Sequence, residues 1–205
     1  GKNASALFSE NSEGVKFVGN DASAIGMDAY AMGGAIAMHD GSSLKFSDNE
    51  KGSFNAGVLF EANVSNQKGG AIYLGNDATL ELKNNQLVHF LANQATEGGA
   101  LYACTGSVMT VNDRVLFSEN KAQSGGALFV NGSLTITGES VMMEFVGNEA
   151  ESSGGAITVA EGASLNISGN DVDLFFHENS AGDHGGSVYA LGNLTISNIQ
   201  VGQIL

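Results

Sequence analysis

Apolar residues along this chain come in pairs two positions apart, and the pairs recur. Leu44 and Phe46, Leu80 and Leu82, Met109 and Val111, Leu134 and Ile136, Leu165 and Ile167, and Leu194 and Ile196 form one such series. A second series, Ile36, Ile72, Leu101, Leu128, Ile157 and Val188, opens a short alternating run just after a glycine pair. A third ends in phenylalanine, with Val58, Val88, Val115, Met143 or Leu174 two residues before it. Alternation of period two puts each pair on one face of a β-strand. Gly, Asn, Asp and Ser punctuate every run, and little of the chain has the 3.6-residue period of an amphipathic helix. Three short strands per unit are expected.

Two short words mark the units. The first is Gly33-Gly34-Ala35-Ile36, rewritten as Gly69-Gly70-Ala71-Ile72, Gly98-Gly99-Ala100-Leu101, Gly125-Gly126-Ala127-Leu128 and Gly154-Gly155-Ala156-Ile157. A sixth copy reads Gly185-Gly186-Ser187-Val188, and successive copies start 36, 29, 27, 29 and 31 residues apart. The second word is Phe-x-x-Asn: Phe17 with Asn20, Phe60 with Asn63, Phe90 with Asn93, Phe117 with Asn120, Phe145 with Asn148 and Phe176 with Asn179. Phe8–Asn11 and Phe46–Asn49 repeat it outside that series. A period of this length, with strands as the repeating matter, predicts a solenoid.

Three strands and three corners per unit make one turn of a three-sided coil. The expected fold is all-β, a right-handed parallel β-helix of about six to seven coils. At the inter-strand spacing such a rod is about 30 Å long. Phenylalanines and aliphatics should stack in interior columns, while the glycine pair supplies positive φ and close backbone approach. Asparagine three residues after phenylalanine would point outwards on a straight strand. A bend there, with asparagine in the left-handed region, would turn its amide into the corner. We expect one body over 1–205, with an irregular first coil in 1–32, regular coils over 33–198 and a truncated tail in 199–205.

Charge narrows the choice of partner. The chain carries a net charge of −14, with seven lysines and Arg114 as its only basic side chains besides histidine, which disfavours nucleic acid and anionic membrane. Proline is absent where average usage would give about ten, as suits a chain whose N–H groups nearly all feed strand ladders. Cys104 is alone, so no internal disulfide forms. No cofactor or metal is expected. Glu119 and Glu178 occupy matching positions two rungs apart, near the separation of an inverting carboxylate pair. Ala62, Ala92 and Gly147 at the same position read instead as a solvated corner. His39-Asp40 and Asp183-His184 form no triad, and Asp171, Asp173, Asn76 and Asp77 match no calcium loop. The outward position of the first strand holds Tyr73, Tyr102, Phe129 and Tyr189, a candidate contact stripe for a partner.

The alternation of GGA[ILV] with FxxN through one acidic, proline-free chain resembles the polymorphic membrane proteins of chlamydiae. The resemblance implies an autotransporter: a signal peptide, a secreted β-helical passenger and an outer-membrane barrel. It implies an adhesin at the bacterial surface, binding a host-cell receptor of protein or glycan nature, and self-association with neighbouring passengers as a further partner. It also implies that the paired words take part in attachment. On this reading the chain is a passenger segment and not an enzyme. Ser187 in place of alanine and the absence of the second word after Ser197 depart from the pattern. The alternatives are a carbohydrate-active β-helix, either glycosidase or lyase and tailspike-like, and a purely structural surface coat.

Overall fold

The computed structural model describes residues 3–23, 31–52, 55–198 and 203–204. Among them every regular element is a strand, and every strand pairing is parallel. Successive copies of each sequence word lie side by side, in register. The strands after the glycine pairs, Ile36–Met38, Ile72–Leu74, Leu101–Ala103, Leu128–Val130, Ile157–Val159 and Val188–Ala190, make one six-stranded face. Six such strands bound five complete turns, slightly fewer than the six to seven coils expected.

The second and third expected strands differ from the reading above. Early in the chain they are separate, as Ser43–Ser47 and Val58–Glu61. In the next four coils they fuse into single strands of 12 to 14 residues: Thr79–Leu91, Ser107–Ser118, Ser133–Val146 and Ser164–His177. The first of these is kinked where Asn84 and Gln86 take positive φ. A further short strand, absent from the expectation, lies between each Phe-x-x-Asn word and the next glycine pair. It comprises Asp21–Ala22, Val64–Ser65, a bridge at Gln94, Lys121–Ser124, Glu149–Ser153 and Ser180–Ala181. The solenoid thus has three sides: the glycine-led face, a long bent face and a short polar face.

The N-terminal strands Ser5–Ser9 and Val15–Val18 already pair in this register, with Phe8 opposite Phe46 and Phe17 opposite Phe60. At the other end Gln203–Ile204 pairs with Phe175 and Phe176. Residues 24–30 of the expected long linker, and 199–202 and 205 of the expected tail, lie outside the described residues.

Packing follows the columns. Phe17, Phe60, Phe90, Phe117, Phe145 and Phe176 form one stack with centroids 4.8–4.9 Å apart and rings within 4–6° of parallel. Parallel in-register strands impose that spacing, so identical rings have no choice but to stack. Four of these rings, Phe60, Phe90, Phe117 and Phe145, are 0% exposed. Burial of each contributes about 1.5–3 kcal/mol, and the offset stack adds a fraction more. Phe8 and Phe46 begin a second, shorter stack at 5.1 Å, which touches the first edge-on.

Candidate binding surface

The second word makes a sharp corner. After each phenylalanine the chain turns at the residue just before asparagine: φ is +53° at Ala62, +54° at Ala92, +56° at Glu119, +61° at Gly147 and +54° at Glu178. The left-handed residue is therefore this one, and not asparagine as expected. The turn aims the asparagine inwards, and Asn63, Asn93, Asn120 and Asn148 are 0% exposed. Glu119 and Glu178 are corner residues whose side chains lie in solvent.

The buried amides form a ladder. Asn120 donates through Nδ2 to Oδ1 of Asn148 at 2.9 Å and to the Phe90 carbonyl at 3.0 Å. Its own Oδ1 accepts from the backbone N–H and the Nδ2 of Asn93, both at 3.0 Å. Every polar atom of the side chain is thus used. The same contacts link Asn20 to Asn63, Asn63 to Asn93 and Asn148 to Asn179. Each asparagine donates to the Oδ1 of the asparagine in the next coil, and its second Nδ2 hydrogen reaches back to a phenylalanine carbonyl of the preceding one, so the amide-to-amide ladder has a direction. A second ladder, at the kink of the long face, runs Asn11, Asn49, Asn85 and ends at Asp113. Asp113 accepts from the Asn85 N–H at 3.0 Å and from its Nδ2 at 2.7 Å. Burial raises the Asp113 carboxyl pKa, against the opposing pull of those hydrogen bonds.

The first word makes the other sharp corner, with its glycines sharing the work. Gly69, Gly98, Gly125 and Gly154 have φ between +63° and +66°. The second glycines meet the next coil: a Cβ on Gly126 would lie 2.0 Å from the Gly155 carbonyl oxygen. Ala71, Ala100, Ala127 and Ala156 follow at 0% exposure. In the inner coils both words are interior, while at the two ends of the stack Asn20, Gly185 and Gly186 are exposed.

The aromatic stripe is not the exposed surface expected. Tyr102 is 1% exposed and Phe129 7%, while Tyr73 and Tyr189 are half-buried. Tyr73, Tyr102 and Phe129 do stack, with centroids 5.5 Å apart. The glycine corner is so tight that the residue before it folds back over the stripe. Lys68 Nζ lies 4.7 Å above the Tyr102 ring, and His184 stacks on Tyr189 at 5.4 Å. Cys104 Sγ donates to the Tyr73 hydroxyl at 3.1 Å. Burial pushes the Tyr73 and Tyr102 hydroxyls well above the ordinary tyrosine pKa.

What the two words leave outside is the short face. Its segments are four or five residues long and differ from coil to coil: Val64 to Lys68, Gln94 to Glu97, Lys121 to Ser124, Glu149 to Ser153 and Ser180 to His184. Small residues point in, with Ser65, Ala95, Ala122 and Ala150 buried, and polar ones point out, with Gln94, Thr96, Lys121, Gln123, Glu149 and Glu151 exposed. Small inward side chains lie along the middle of this face. A groove of about 600 Å³ crosses four rungs there. Among the described residues no group of three or more His, Cys, Asp or Glu is placed to hold a metal ion.

The profile of the Chlamydia polymorphic membrane protein repeat matches residues 57–75 and 114–131. Each match contains one Phe-x-x-Asn corner, one short-face segment and one glycine corner. Over these two stretches the chain carries the repeat of the chlamydial polymorphic membrane proteins. Among the relatives of this repeat chain, the probable outer membrane protein pmp21 of Chlamydia pneumoniae is 31% identical over 93% of the chain. Probable outer membrane protein pmp6 of the same organism is 32% identical over 95%. Probable outer membrane protein PmpD of Chlamydia trachomatis is 26% identical over 89%. The chain spans 12%, 16% and 12% of these three proteins, respectively. Their names are those of outer membrane proteins, not of enzymes. No solved structure matches the chain.

Proposed function

We propose that this chain is an adhesive segment of an outer-membrane autotransporter, displayed at the bacterial surface and attaching the cell to its host through the short face. The relatives named as outer membrane proteins support the location. The observation that carries the reading is the burial of both family words in the inner coils, around an exposed, chemically varied strip. Phenylalanine, asparagine and glycine at 0% exposure or in backbone contact cannot touch a receptor. They hold a constant frame, and the residues free to vary between them make the contact. Dependence of attachment on the words then follows from folding.

Beads coated with the chain should adhere to cultured epithelial cells, and soluble chain should compete. Gln94→Arg with Gln123→Arg adds bulk and charge to exposed positions of the short face, so adhesion should fall at least tenfold at an unchanged Tm. Thr135→Arg with Asn166→Arg, on the outside of the long face, should leave adhesion intact. Beads that adhere no better than uncoated ones sink the adhesive reading. Adhesion sensitive only to the long-face pair moves the contact there.

A further inference from the structure

We propose that the short-face groove receives an extended protein segment bearing lysine or arginine, laid along the axis of the solenoid. This rests on the adhesive reading and adds the chemistry of the partner. The groove crosses four rungs, or about 14 Å at the strand spacing, which an extended segment of four to five residues spans. Gln94 and Gln123 line its second and third rungs. Primary amides both donate and accept, so they suit the alternating N–H and C=O groups of an extended backbone.

The C-terminal part is acidic. Glu149 and Glu151 line its last rung, and the one cation among the lining residues, Lys121 on the rung before, is held by Glu149 at 2.8 Å and lies in the field of Glu119. The groove therefore offers more negative charge than it neutralises, on a chain of net charge −14 that attracts cations from a distance. The same charges repel sulfated and uronic-acid glycans. Neutral glycans are disfavoured for another reason: no aromatic side chain lines the groove to stack against a sugar ring. A basic peptide segment is what remains complementary along the whole length.

The probe is a fluorescein-labelled hexapeptide of alternating serine and lysine, read by fluorescence anisotropy with the full 205-residue chain. The counterpart with glutamate for lysine, a heparin hexasaccharide and maltohexaose are run beside it. The lysine peptide should bind and the glutamate peptide should not. Glu149→Gln with Glu151→Gln should weaken binding at least fivefold. Glu139→Gln with Glu161→Gln, which removes as much charge from other exposed positions, should weaken it less than twofold. Equal losses in the two variants would reduce the effect to general charge and overturn the proposal, as would binding of either glycan in competition with the peptide. Cell adhesion by the same preparations separates the two readings. A chain that adheres to cells but shows no groove-dependent peptide binding overturns this inference alone. Groove-dependent peptide binding without cell adhesion supports the groove chemistry and sinks the adhesive role.

Discussion

Asn120→Ala tests whether the amide ladder holds the coils together. Asn120 is 0% exposed and makes four side-chain hydrogen bonds. Alanine leaves the Asn93 N–H and one Asn93 Nδ2 hydrogen buried without acceptors, and removes a donor from the Phe90 carbonyl. Asn148 Oδ1 keeps one partner, since the backbone N–H at position 120 still reaches it at 3.1 Å. Two to three orphaned groups at about 1–3 kcal/mol each, sharing one small cavity, suggest a loss of about 3–5 kcal/mol. For a chain of this size that is roughly a 10 °C fall in Tm. Asn20→Ala is the control: Asn20 is exposed, and Asn63 Oδ1 keeps the Asn20 N–H at 3.0 Å, so the loss should stay under about 1 kcal/mol. Urea unfolding followed by circular dichroism reads both. If Asn120→Ala costs no more than Asn20→Ala, the ladder is not a stabilising element. A folded Asn120→Ala protein that no longer adheres would instead place the amide in the contact surface.

Gly126→Ala should cost more than about 3 kcal/mol, because its Cβ would sit 2.0 Å from the Gly155 carbonyl oxygen and adjacent coils would have to part. Gly147→Ala meets no atom within 4 Å and suffers only its φ of +61°, about 1 kcal/mol; urea midpoints should rank the two in that order. Tyr102→Ser should destabilise by about 3 kcal/mol by the same measurement, since the ring is buried between Tyr73 and Phe129. For Asp113 the folded pKa lies above the unfolded one, so its contribution is complete below about pH 4 and fades as pH rises through the folded value. Asp113→Asn removes that dependence: its stability relative to the wild-type chain should increase from about pH 4 to pH 7, checked by urea midpoints at both.

Much of the fold is legible in the sequence. Phe60, Phe90, Phe117 and Phe145 repeat at one period and do occupy one buried column, because in a parallel stack equal spacing in sequence becomes adjacency in space. The short face was not readable, since Lys121–Ser124 and Glu149–Ser153 are polar with only alanine inside, and hydrophobic alternation is blind to them. The positive φ at Ala62 and Glu119 was hidden by residue types that seldom adopt it. Tyr102 was read as outward, and by strand parity it is. What parity cannot convey is that the glycine corner of the preceding coil, at Gly69, folds Lys68 back over the ring.

The direction of the amide ladder has a consequence for descent. Each rung hands its successor the same donors and meets its predecessor's donors with the same acceptor, so any two neighbouring rungs fit as well as any others. A gene can therefore gain or lose one repeat by unequal recombination without creating a mismatched junction, provided the reading frame of the word is kept. Length becomes a quantity that mutation can alter freely. Each duplicated repeat brings one more short segment whose letters are under no obligation to the interior, and such a molecule can diversify its outer face faster than its scaffold.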